Sequence, residues 1–127
     1  MDLDLLGTLG LWSLALGAVS GWLVTASIER PELLTWARIR HPGRLRQTHL
    51  DWVMMGLILL AVELAVPSRP DWITALVAFG TVVNPLLFLP LAVNAEASKH
   101  LAYRTVTAAS FAAMTVGLPA LAVSATF

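Results

Sequence analysis

Four long apolar segments, separated by short polar connections, make up most of this sequence. They run from Leu5 to Ile28, from Trp52 to Val66 with a polar lead-in from His49, from Trp72 to Val93, and from Val106 to about Val123. Each approaches the roughly 20 residues that a helix needs to cross a bilayer, and none alternates as a strand would. The pattern predicts one domain over residues 1–127, an all-α integral membrane four-helix bundle with helices at about 5–28, 49–66, 72–93 and 104–125.

The composition supports the bilayer as the principal partner. Of the 127 residues, 57% are hydrophobic and 13% are charged, a balance that a water-soluble domain of this size could not bury. Cysteine is absent, which excludes disulfides and thiol ligands. The net charge is zero, so no general argument favours nucleic acid as a partner.

Basic residues concentrate in the first connection, between residues 29 and 48. The third connection carries Lys99 and Arg104, and the second carries only Arg69. Because basic residues favour the cytoplasmic side, we expect both termini and the second connection outside, in a bacterial inner membrane. The arginines of the first connection are Arg30, Arg38, Arg40, Arg44 and Arg46.

Within the first connection, Pro31 to Ile39 could form a short interfacial helix with Leu33, Leu34 and Trp36 towards lipid. The alternative is an irregular basic loop.

Small residues recur at helical spacing in the first and fourth spans. Where lipid is as apolar as leucine, such faces let helices approach closely and gain packing energy. We therefore expect helix contacts along two faces, Gly10, Gly17 and Gly21 in one span and Ala109, Ala113 and Gly117 in the other.

The second span opens on a sequence that resembles a capping box. Thr48 and Asp51 have the required spacing, which would give Asp51 a structural role and place His49 at the first helical position. At about 100° per residue, His49, Gly56 and Glu63 share one stripe. A glycine at position 56 leaves room for a flat ligand or for a close helix.

His49 has two readings. It could be a headgroup-level residue solvated at the membrane edge, or a ligand for haem iron or another metal. His41 and His100 lie in connections on the same predicted side, so three histidines could converge. Glu63, on the order of 20 Å along the helix from His49, is expected at the opposite boundary, exposed or paired with Arg69.

Asn84 is a polar residue well inside the third span. In the segment Gly80-Thr-Val-Val-Asn84, Thr81 and Asn84 share a helical face. An amide in hydrocarbon needs a partner, so Asn84 should face the bundle or a cavity. An interhelical hydrogen bond and a functional role both remain open.

Two of these segments resemble a known family. The segment His49-Leu-Asp-Trp-Val-Met-Met-Gly56 and the later Gly80 to Asn84 are similar to motifs of small four-helix membrane proteins that include hydroxylaminobenzene mutase and styrene oxide isomerase. The resemblance covers the second and third spans, and the other two agree in length and character.

The resemblance implies a homo-oligomer that rearranges a small aromatic substrate, an epoxide or a hydroxylamine. In the epoxide isomerase, haem b between subunits acts as a Lewis acid. By this resemblance His49, with Gly56 beside it, would bind the haem and its iron, and Asn84 would orient the substrate.

Two positions depart from the family pattern. Met55 stands where the family commonly has asparagine, and Phe88 where the epoxide isomerase has tyrosine. Both changes remove hydrogen-bonding groups from the expected pocket. An alternative function is therefore a non-catalytic four-helix membrane protein that binds haem or partner helices. A small transporter is less favoured, since no inverted repeat is visible.

Overall fold

The computed structural model describes residues 3–127 and contains helices without strands over that range. Four spans are long and apolar enough to cross a membrane, which confirms the predicted all-α four-helix architecture. The third span is divided near its end. The helices are α1 (Leu5–Glu29), α2 (Pro31–Trp36), α3 (Pro42–Ala65), α4 (Asp71–Leu86), α5 (Phe88–Val93), a 3-10 turn (Ala95–Lys99) and α6 (Leu101–Thr126).

The predicted start of the second span is wrong. α3 begins at Pro42, so His49 lies about two turns into the helix rather than at its first position. Thr48 does not cap: its hydroxyl donates to the carbonyl of Arg44 at 3.1 Å, as a threonine inside a helix does. The helix starts early because proline is favoured at its first position and long arginine side chains can reach the headgroup region from within it.

The division between α4 and α5 follows from two prolines. Pro85 and Pro90 lack the N–H that would continue the backbone ladder, and the helix is interrupted at Leu87. The hydroxyl of Tyr103, on α6, donates to the Leu87 carbonyl at 2.8 Å. A polar group at the break is thus satisfied from a neighbouring helix, as lipid requires.

Glycines bring α1 and α3 into close contact. A Cβ on Gly10 would lie 3.1 Å from the carbonyl oxygen of Gly56, and one on Gly17 would lie 2.7 Å from Cγ2 of Val53. The predicted small-residue face of α1 is therefore a helix contact.

The contact between α4 and α6 is built in the same way. A Cβ on Gly80 would lie 3.2 Å from the Ser110 carbonyl oxygen, and Ala113 and Gly117 are buried. Ala109, however, is exposed. The prediction for α6 was wrong at that position, because the helix is rotated so that Ser110 faces α4.

α3 is the central helix, packed against α1, α4 and α5, while α6 packs mainly on α4. A core at the end where α3 meets α4 is formed by Leu6, Leu59, Val62, Ile73, Val77, Ala78 and Leu121. A smaller cluster at the opposite end joins Leu34, Leu45 and Ala92.

The first connection contains a short helix, α2, which ends at Trp36 rather than at the predicted Ile39. Leu33 and Trp36 are exposed, as expected of residues turned towards lipid. Leu34 differs from the expectation, because it is 7% exposed and packs on Leu45 of α3.

Candidate functional site

The imidazole of His49 bridges α3 and α1. Its Nδ1 lies 2.8 Å from the carbonyl oxygen of Gly17 and 3.2 Å from Oγ of Ser20. A carbonyl can only accept, so Nδ1 carries the proton in this bond. The Ser20 hydroxyl also donates to the Gly17 carbonyl, at 2.9 Å.

Gly21 makes room for this ring. A Cβ at Gly21 would lie 3.3 Å from Cε1 of His49, tighter than an ordinary contact, so a larger residue would push the ring away from α1. Nε2 of His49 has no hydrogen-bond partner among residues 3–127. It is also not one of the fully enclosed, unpaired polar atoms in that part of the chain. With Nδ1–H held by α1, the free lone pair of a neutral His49 lies on Nε2.

The stripe of His49, Gly56 and Glu63 is present, and all three residues face α1. A Cβ on Gly56 would lie 2.9 Å from Cγ of Leu14 and 3.0 Å from the carbonyl oxygen of Gly10. Of the two uses expected for Gly56, the structure has the close helix. The room beside this glycine is occupied by α1.

Glu63 takes part in an ion cluster at the far end of the stripe. Its carboxylate lies 2.9 Å from the guanidinium of Arg69, which also binds Asp4, the residue that caps α1. The Arg69 side chain is 2% exposed, and it donates further to the Val66 carbonyl at 2.8 Å. The expected pairing of Glu63 with Arg69 is thus confirmed.

The charge of Asp4 is adjusted by this cluster. Burial acts to raise the pKa of Asp4, but hydrogen bonding with Glu63 and the amides of Gly7 and Leu6, together with the charge of Arg69, lowers that pKa below its ordinary value. Asp4 is therefore held as a carboxylate that joins α1 to the α3–α4 connection.

Asn84 lies on the stripe of α4 that includes Val77 and Thr81. Val77 belongs to the buried cluster that includes Leu6 of α1 and Leu59 of α3, and a Cβ on Gly117 of α6 would lie 3.1 Å from its Cγ2. Asn84 is half-buried, and its side chain makes no hydrogen bond to another residue in the described range 3–127. Within residues 3–127, His49 bonds to α1, and no hydrogen bond links it to Asn84.

The two positions that depart from the family pattern carry apolar side chains that are at least partly buried. Met55 is 8% exposed, one turn from the buried Leu59, and Phe88 is half-buried at the start of α5.

Asp51 is a polar residue whose environment sequence reasoning missed. Its Oδ2 is enclosed, with no hydrogen-bond partner in the described part of the chain. It does not cap α3, which begins nine residues earlier, at Pro42. The sequence does carry a signal for this environment, because an ionisable residue within an apolar span favours a functional site.

The three histidines do not converge. His41 and His100 are exposed and precede the first turns of α3 and α6. Residues 3–127 contain no group of three or more His, Cys, Asp or Glu placed to hold a metal ion.

No protein-family model, no curated protein and no solved structure matches this chain.

Proposed function

We propose that this protein is a membrane-embedded isomerase or mutase that rearranges a small aromatic epoxide or hydroxylamine, with haem b bound through His49. The observation that carries the proposal is the hydrogen bond from Nδ1 of His49 to the Gly17 carbonyl oxygen. Histidines that bind metals usually donate their other ring N–H to a carbonyl or carboxylate, which fixes the tautomer and the ring plane.

The residues around His49 fit a histidine that would hold haem iron. His49 is half-buried about two turns into α3, Gly21 gives its ring a place against α1, and Nε2 is left without a protein partner. Nε2 would hold the haem iron, and a second copy of the chain would shield the haem from lipid, in keeping with the homo-oligomer that the resemblance implies.

The haem would supply a Lewis acid that polarises the substrate oxygen, without net redox change. His49 would hold the iron, and the Gly17 carbonyl would keep Nδ1 protonated so that Nε2 stays a ligand. Asn84, whose side chain makes no hydrogen bond within the described range, would orient the substrate through its amide.

An absorption spectrum of detergent-purified protein, with and without added haem, tests this proposal. We expect a Soret band that the His49→Ala variant lacks. His41→Ala and His100→Ala are matched controls, because both residues are exposed and lie near the same end of the molecule; both variants should keep the band. A colourless protein after haem addition would contradict the haem form.

A second candidate is a non-catalytic membrane protein that binds haem or partner helices. Met55 and Phe88 favour it, because they put apolar side chains where the family has hydrogen-bonding groups. Turnover separates the candidates: haem-loaded protein that leaves styrene oxide and hydroxylaminobenzene unchanged supports the second.

We further propose a bacterial inner membrane location with both termini outside, supported by the arginines between residues 29 and 48. The chain has no cysteine, so single cysteines at Ser68 and Ser98 can be labelled without background. An impermeant thiol reagent added to whole cells should label Ser68→Cys and spare Ser98→Cys. The reverse pattern would overturn the orientation.

A further inference from the structure

Basic side chains surround an open pocket at the end of the molecule where α3 begins. The pocket has a volume of about 510 Å³. We name it the arginine pocket, after its lining residues Arg40, His41, Pro42, Gly43, Arg44, Arg46 and Gln47. A Cβ added to Gly43 would meet no atom within 4 Å, so this wall is open to an incoming group.

The positive charge of the arginine pocket is not neutralised by the chain. No acidic residue occurs in the sequence between Glu32 and Asp51. None of the ion pairs formed among residues 3–127 includes an arginine of the pocket. Arg44 donates to Gln47 at 2.8 Å, which orients its guanidinium without neutralising it. Uncompensated guanidinium groups around a concave surface attract an anion.

The backbone that carries the pocket is fixed in place. The amides of Arg40 and His41 both donate to the carbonyl of Ala92 at 2.9 Å, which ties the connection to the end of α5. Leu45, within the first turns of α3, packs with Leu34 and Ala92. The arginines are therefore presented from a supported surface, which reduces the entropy lost when a ligand binds.

Exposed apolar side chains on the helix before the pocket indicate which kind of anion would bind there. Trp36 of α2 is 87% exposed and Leu33 is 52% exposed, and both belong to the short helix that precedes the arginines. Apolar side chains of this kind sit at the level where headgroups meet acyl chains. The ligand should then carry both a phosphate and an apolar tail.

We propose that the arginine pocket binds the phosphate of an anionic phospholipid headgroup. Guanidinium groups match phosphate oxygens with paired hydrogen bonds, and the span α3 continues from the pocket into the bilayer beside the acyl chains. A basic residue near a charged membrane surface contributes about fivefold in binding.

Lipid retention measured by native mass spectrometry tests the proposal. Protein in neutral detergent is incubated with equimolar phosphatidylglycerol and phosphatidylcholine, and the two retained lipids are compared. Wild type should retain phosphatidylglycerol preferentially, and added salt should weaken this preference because it screens the arginines. The triple variant Arg40→Gln, Arg44→Gln, Arg46→Gln should lose preference on the order of 100-fold. The control is the double variant Lys99→Gln, Arg104→Gln, which changes basic residues at the same end of the molecule. It should keep the preference for phosphatidylglycerol.

Each other outcome overturns the proposal. It fails if wild type shows no preference for phosphatidylglycerol, or if the control variant loses preference as much as the triple variant. Displacement of the lipid by inorganic phosphate at equal concentration would assign the pocket to a soluble anion instead. Circular dichroism shows whether the triple variant keeps its helices. If the variant is unfolded, the salt dependence of lipid retention by wild type tests the proposal in its place.

Discussion

Nδ1 of His49 lies 2.8 Å from the carbonyl oxygen of Gly17, across the interface of α3 and α1. This bond connects a packing feature to a chemical one. Gly17 and Gly21 lack the side chains that would keep the two helices apart, and the same absence lets the imidazole reach the backbone of α1. The close helix contact thereby decides which nitrogen of His49 is available to a ligand.

The first prediction concerns the tautomer of His49. With its proton held on Nδ1 by Gly17, neutral His49 should give ¹⁵N chemical shifts of a single tautomer, protonated at Nδ1 and bare at Nε2. His41 and His100 are exposed and provide internal controls, which should show tautomer mixtures. The spectrum of His49→Ala assigns the signals. A protonated Nε2 in ligand-free protein would rule out the ligand geometry proposed for His49.

A second prediction tests the contact of α1 with α3. In Gly17→Ala, the new methyl would meet Cγ2 of Val53 at 2.7 Å, so the helices must separate or Val53 must shift. We expect the free energy of unfolding to fall by about 1–3 kcal/mol, as in other overpacked interiors. Unfolding in mixed detergent followed by circular dichroism provides the measurement.

Gly43→Ala is the matched control for that variant, because a Cβ at Gly43 meets nothing within 4 Å. Its unfolding free energy should be unchanged or slightly raised. Equal losses in both variants would show that helix packing is not the cause.

The four spans could be predicted because length and apolar composition alone set them. The start of α3 could not, since Arg44 and Arg46 look like loop residues until their long side chains are allowed to reach headgroups from within a helix. The stripe of His49, Gly56 and Glu63 followed from helical periodicity.

Which helix the stripe faces is a tertiary property that periodicity does not contain. The same holds for α6, where Ser110 lies against Gly80 of α4 while the predicted contact residue Ala109 is exposed. The pattern along one helix predicts which residues share a face, but only the packing of the helices shows which neighbouring helix that face contacts.

The third prediction concerns Arg69, whose side chain is 2% exposed between Asp4 and Glu63. Its replacement by leucine leaves two carboxylates close together without a cation. We expect a loss of about 3 kcal/mol, at the low end for breaking a buried ion pair, because the Asp4 side chain is 41% exposed. Arg30→Leu is the control: it breaks an exposed pair with Glu32 and should cost less than about 1 kcal/mol.

The same cluster predicts a dependence of stability on pH. The pKa of Asp4 is lowered in the folded protein, so its contribution is present above the ordinary aspartate value of 3.8 and is lost as the pH falls below it. Wild type should therefore lose stability on acidification in that range. Asp4→Asn should show a flatter profile, and an unchanged profile would remove Asp4 from the explanation.

The fourth prediction distinguishes an Asp51 that is enclosed without a partner from an Asp51 that caps a helix. Its enclosed Oδ2 has no partner in the described range, so Asp51→Leu, which removes the carboxyl group, should raise the free energy of unfolding by about 1 kcal/mol or more. A helix cap would give the opposite sign, a loss of about 0.5–2 kcal/mol. Asp71→Asn serves as the comparison, because this exposed acid in the first turn of α4 should stabilise the helix dipole and its loss should destabilise slightly.

The last prediction concerns the break in the third span. Tyr103 donates to the carbonyl of Leu87 at 2.8 Å, where proline has removed backbone donors nearby. Tyr103→Phe keeps the ring and removes the donor, so it should cost about 0.5–1.5 kcal/mol of unfolding free energy. Thr107→Val is the control, because the Thr107 hydroxyl bonds only within its own helix, to the Tyr103 carbonyl at 2.8 Å. Hydrogen exchange at the amides of α5 should rise in Tyr103→Phe alone. Equal exchange in both variants would mean that α5 is held by its packing on α3, and that the tyrosine hydroxyl adds nothing at the break.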